Sequence, residues 1–137
     1  MKKIGLFLTL VLYLLTLFLP FSRTISMKTY RQVSLSGWTI VSYHWVTFMI
    51  LVLLLVLWIR FESKKIKLLL ASLISIVLLY FYSLPFQSLQ FNDFSVLRNQ
   101  LPVVLRLELQ IGYYLSALMV MMLMTVLFIF PSFFIKK

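Results

Sequence analysis

His44 is the single histidine of this 137-residue chain, and Glu62, Asp93 and Glu108 are its only acids. A histidine could relay protons or sense pH near neutrality. In Ser42-Tyr43-His44-Trp45, however, it stands among aromatics, the setting of an interfacial anchor. Glu108 follows Arg106 by two positions and precedes an apolar run, so the two could pair at a membrane edge or contact a ligand. Glu62 lies beside Arg60 and Lys64, where a solvated ion pair is the default. Asp93 stands where a helix needs a cap.

These residues do not assemble a reaction centre. Catalysis by hydrolysis or transfer needs a nucleophile with a base in reach. Metal binding needs a cysteine, a histidine pair or a carboxylate cluster, and the chain has no cysteine at all. Met119, Met121, Met122 and Met124 recur at spacings that could hold Cu(I), but methionine also serves as a flexible packing residue. The expectation is a non-enzymatic protein without cofactor or metal. His44, Arg98, Arg106 and Glu108 are its candidate outer-face recognition residues. Ala71 with Ser75, and Gly112 with Ser116, form small-xxx-small pairs and are the candidate helix-packing positions.

The elements that hold these residues follow from composition. Hydrophobic residues make up 63% of the chain and charged ones 12%, against about 25% charged in soluble domains. The mean hydropathy is +1.05. A soluble domain of this size could not bury so much apolar surface. The net charge of +10 is carried in short groups between apolar runs, with no basic helix face, so it marks membrane topology rather than a nucleic-acid partner.

Four apolar runs are read as spans: Ile4–Phe21, Thr39–Ile59, Leu68–Leu84 and Ile111–Phe130, each near the roughly 20 residues that cross a bilayer. The first follows Lys2 and Lys3 and lacks an Ala-x-Ala-like cleavage site, so it is expected to remain as a helix rather than be removed as a signal peptide. With the N-terminus inside, the inner side carries Lys2, Lys3, Arg60, Lys64, Lys65, Lys67, Lys136 and Lys137. The outer side carries Arg23, Lys28, Arg31, Arg98 and Arg106. That bias puts both termini inside. The expected fold is an all-α integral membrane protein, one domain over residues 1–137, built as a four-transmembrane-helix bundle with N-in/C-in topology.

Polar structure gathers outside, in residues 22–38 and 85–110, while the inner loop 60–67 is short. Asn92-Asp93 can cap a short amphipathic interfacial helix carrying Phe94, Leu97, Leu101 and Leu105 on one stripe, with Pro102 kinking or ending it. Beyond Pro102, Leu105, Leu107, Leu109 and Ile111 alternate with Arg106, Glu108 and Gln110. This is strand period, and it could pair with Val33 and Leu35 in a two-stranded outer ribbon. The other reading makes residues 105–110 an extension of the fourth helix.

No charge falls inside the four apolar cores, whereas ion-coupled carriers usually need one there. The expected role is therefore an accessory or immunity-type subunit that binds a larger membrane-protein partner, in a bacterial cytoplasmic membrane. A homo-oligomeric transporter, flippase or channel is the first alternative, using hydroxyls such as Tyr13, Thr16, Ser42, Tyr43, Thr47, Ser72 and Ser75. A lipid-modifying enzyme using His44 and Glu108 is the second.

Overall fold

The computed structural model describes residues 2–25, 28–87 and 92–129. The closing Lys136 and Lys137, Pro131 and the last residue of the fourth apolar run lie outside the described residues. The chain is mostly helical with one small sheet: α1 (Lys2–Thr16), β1 (Pro20–Ile25), β2 (Gln32–Ser36), α2 (Gly37–Tyr43), α3 (Trp45–Arg60), α4 (Lys64–Ser83), α5 (Phe94–Val103) and α6 (Ile111–Ile129).

α1 stops earlier than the apolar run suggests. Leu17, Phe18 and Leu19 tighten into i→i−3 bonds to Leu14, Leu15 and Thr16, and Pro20 cannot continue a helix because its ring removes a donor and restricts the residue before it. The chain therefore leaves as β1, and the expected span to Phe21 is corrected to a helix of 15 residues, about 22 Å long. β1 pairs antiparallel with β2, from Pro20 opposite Ser36 to Ile25 opposite Gln32, with an irregularity between Pro20 and Ser22. Tyr30, in the reversal, adopts a left-handed φ of 53°.

The ribbon thus exists, but both its strands belong to the first outer segment. The second segment contributes one bridge, Ser22 to Leu109, and an amide bond from Gln110 to the Phe21 carbonyl (2.9 Å). Residues 105–110 are neither strand nor an extension of α6. Val104–Glu108 forms a π-helical turn after α5, closed by Leu109 N–H donating to the Val104 carbonyl five residues back. Pro102 sits inside α5, at its penultimate position, and its missing N–H frees a carbonyl that regular α geometry would have used.

The second apolar run is also not one rod. α2 and α3 meet at His44 with a bend of 99°. Ser36 caps α2, its hydroxyl accepting from Thr39 N–H (3.3 Å). The third run is a longer helix than expected, since α4 begins at Lys64 and shrinks the loop to residues 61–63. α4 with the 3₁₀ turn Leu84–Phe86, and α6, are each long and apolar enough to cross a membrane. The α2–α3 pair would add a third only if the bent pair counts as one span.

Packing sets the helix order. α6 lies between α1 and α4, and α3 packs on α4. Leu6, Trp58, Leu70, Ala71, Ile74, Leu123 and Leu127 share one buried cluster, while Tyr13, Leu17 and Phe21 form another with Trp38, Tyr82 and Tyr113 around them. α1 and α4 therefore run one way and α6 the other, and the three-residue turn makes α3 antiparallel to α4. β1, β2, α2 and α5 gather at the second cluster's end.

Two glycines permit that end to close. A Cβ at Gly37 would stand 2.9 Å from Leu17 Cα, and one at Gly112 would stand 2.5 Å from the Pro20 carbonyl oxygen. Neither neighbour can yield, because both are backbone. Gly5 meets nothing within 4 Å. Thermal unfolding in detergent is expected to rank the alanine variants accordingly: Gly5→Ala at or slightly above the parent, since alanine favours helix, and Gly37→Ala and Gly112→Ala each lower by about 3 kcal/mol. Equal behaviour of all three would contradict the close approach.

Candidate interaction surface between α4 and α6

A groove of about 620 Å³ runs between α4 and α6. α4 contributes Ser75, Leu78, Leu79 and Tyr82. α6 contributes Tyr113, Ala117, Val120, Met121, Met124, Thr125, Phe128 and Ile129. The helical repeat explains the lining: Ser75, Leu78, Leu79 and Tyr82 recur at i, i+3, i+4 and i+7, one face of a helix. Ala117 opens the opposite wall, and Met121 and Met124 give it an adaptable thioether surface.

Of the four hydroxyls along this groove, those of Ser75, Thr125 and Tyr113 are engaged internally, while Tyr82 Oη is buried without a hydrogen-bond partner among the described residues. Ser75 Oγ donates to the Ala71 carbonyl (2.9 Å) and lies 3.9 Å from Met124 Sδ. Thr125 Oγ1 donates to the Met121 carbonyl (2.8 Å). Tyr113 Oη donates to the Tyr82 carbonyl (2.8 Å), which joins the two helices at the groove's end. The Tyr113 ring packs edge-on to Phe21 (6.0 Å between centroids) and Tyr114 (5.7 Å), and obliquely on Tyr82 (5.3 Å). Tyr114 Oη reaches the Leu105 carbonyl and so ties α6 to the π turn. What the groove offers a ligand is mainly shape and dispersion, with three of its four hydroxyls already committed.

The small-residue positions divide between neighbours. Ala71 is fully buried in the main cluster, and Ser75 faces Met124 on α6. Gly112 meets Leu19 and Pro20, and Ser116 is fully buried, donating to the Tyr113 carbonyl (2.9 Å).

The recognition candidates do not converge. His44 is half-buried at the α2–α3 break, with its ring edge-on to Tyr80 (6.0 Å) and Phe81 (6.3 Å) on α4. Arg98 is exposed on α5, Arg106 is exposed on the π turn, and Glu108 is half-buried at that turn's end. Among the described residues, no group of three or more histidine, cysteine or acidic side chains comes together. Of the methionines, Met121 and Met124 line the groove and Met119 packs near Tyr13.

Sequence reading missed two features. Lys67 looks like an inner-loop charge, yet it is 1% exposed, with its Nζ 4.2 Å from the centroid of the Trp58 ring. The signal was its position one turn into the helix, three residues after Lys64. The groove was also missed, because α6 is apolar all round and periodicity cannot say which face is open.

Asp93 does cap α5, accepting from Ser95 N–H (2.9 Å) and Ser95 Oγ (2.7 Å). Those two bonds, the hydroxyl first, hold its carboxyl below the usual range. A depressed folded-state value means the cap operates above the ordinary carboxylate pKa and is lost as pH falls through the depressed one. Amide hydrogen exchange in residues 95–97 is therefore expected to accelerate below about pH 4, and Asp93→Ala should show that faster exchange already at neutral pH. No pH dependence beyond the intrinsic exchange rate would remove the cap's role.

The fold and surface define a class: a mostly helical protein with two membrane-length apolar helices, a small two-stranded sheet at one end, and an apolar groove between those helices. No known protein family, curated protein or solved structure matches the chain.

Proposed function

We propose that this chain is a non-enzymatic integral membrane protein that crosses a bacterial cytoplasmic membrane four times with both termini inside, and serves as an accessory or immunity-type subunit bound to a larger membrane complex. The observation that carries this reading is the α4–α6 groove, which is apolar, methionine-lined and wide enough to receive side chains of a partner's transmembrane helix. Association between helices in lipid rests on close van der Waals packing, since lipid tails compete equally for apolar surface. A preformed concavity beside small residues supplies that packing.

Counting against the transport alternative, four of the seven hydroxyls it would use turn back on their own helices. Thr16 donates to Tyr13, Ser42 to Thr39, Ser72 to Leu68 and Ser75 to Ala71. A permeation path needs polar groups aimed at the passing solute. The lipid-enzyme alternative needs His44 near an acid, and its ring contacts are Tyr80 and Phe81 instead.

Photocrosslinking in native membranes tests the proposal. A photoreactive residue at Leu79 or Met121 should give one discrete heteromeric adduct, whereas one at Leu53 on α3 should not. Ala117→Trp, which fills the groove, should reduce that adduct at least about ten-fold, the effect of losing about 1.4 kcal/mol of packing. An adduct of twice the chain's mass would favour the homo-oligomer. Lipid adducts alone, together with a monomer in mild detergent, would overturn the accessory role.

A further inference from the structure

We infer that the α3–α4 turn is a binding site for the headgroup phosphate of an anionic phospholipid, formed by Arg60, Lys64 and Lys65 at the facing ends of α3 and α4, next in the chain to the buried Lys67–Trp58 contact. The inference rests on the membrane location proposed above and is independent of the accessory role.

Four cations fall within residues 60–67, against one acid, Glu62. Arg60 closes α3, and Lys64 opens α4 after only three intervening residues, so helix packing holds the two charges at neighbouring helix ends. Arg60, Lys64 and Lys65 are exposed. Lys67 follows Lys64 by three positions, on the same helix face, and it is fixed between α3 and α4 with its ammonium over Trp58.

The arrangement runs against local helix stability. The start of a helix carries partial positive charge and favours acids. The first turn of α4 has no acid, holds Lys64, Lys65 and Lys67, and Ser63 makes no side-chain cap bond. Basic residues collected where the backbone field is already positive raise the potential further, and an anion arriving from outside the chain would relieve it. Apolar sequence begins at Leu68, so this charge lies where a transmembrane helix meets the headgroups. Long stems of lysine and arginine can reach phosphates at that level, and juxtamembrane cations attract anionic lipid. Zwitterionic headgroups would bring their own ammonium into this field and gain less.

Trp58 supplies the probe. With Trp38→Phe and Trp45→Phe it becomes the sole tryptophan, and its quenching by brominated acyl chains reports which lipid lies beside the turn. In phosphatidylcholine bilayers, brominated phosphatidylglycerol should show an association constant about three- to five-fold above that of brominated phosphatidylcholine, weakening with salt. Arg60→Gln, Lys64→Gln and Lys65→Gln together, all exposed positions, should bring that ratio to about one while leaving the fold and Lys67 intact. A protein with Trp45 as sole emitter, at the opposite end, should show no such preference. Equal quenching by the two lipids, a preference that survives the triple substitution, or the same preference at Trp45 would overturn the site. Millimolar inorganic phosphate at constant ionic strength should not relieve the quenching. If it does, the ligand is free phosphate and the lipid assignment fails. Loss of the partner adduct described above would leave this result untouched.

Discussion

The Pro20 carbonyl oxygen comes so close to the first turn of α6 that a Cβ at Gly112 would stand 2.5 Å from it, and this approach closes one end of the helix layer. Pro20 ends α1, and its carbonyl packs directly on the first turn of α6. From that approach the neighbouring elements take their places. The Phe21 carbonyl accepts from Gln110, Ser22 bridges Leu109, and the Trp38 amide donates to the Leu17 carbonyl (3.1 Å). α2, tied by that bond and by the tight fit at Gly37, cannot continue in line with α3. The 99° bend at His44 follows from α2 lying across the bundle's end while α3 descends along α4.

The other end of the helix layer is built on a different principle. There the chain turns in three residues, and the main cluster is closed by Trp58 and Lys67 rather than by backbone contact. Between the two ends, the helices share a narrow core and leave many large apolar side chains outward, among them Leu53, Leu79 and Met121. In water such a surface would aggregate. In lipid it is neutral, and under the proposed role selectivity would fall to shape, for which the α4–α6 groove is the candidate.

How much of this was legible in the sequence follows the range of the interactions involved. The start of α6 at Ile111, the Asp93 cap and the short turn between α3 and α4 depend on neighbours within a few residues, and the sequence pattern locates them. The presence of a ribbon was also readable from alternation, but its register was not. Val33 and Leu35 could pair with any extended partner, and the choice of β1 over residues 105–110 is made by Pro20 ending α1 early. The π turn absorbs those alternating residues because Pro102 had already disturbed the backbone bonding ahead of it. The break at His44 was hidden because Thr39–Ile59 is continuously apolar, and such a run carries no record of which contacts bend it. The groove and the burial of Lys67 depend on how α4 is rotated against α3 and α6, which no local pattern encodes.

The central claim is that α4 carries the chain from one side of a membrane to the other, placing the basic turn and the β1–β2 end on opposite faces. The absence of native cysteine makes this directly measurable with single introduced cysteines and a membrane-impermeant maleimide on sealed vesicles. Ser63→Cys should be labelled only from the inner side, and Thr29→Cys and Asn99→Cys only from the outer side. Labelling of Ser63→Cys and Asn99→Cys from the same side of an intact membrane would contradict the account.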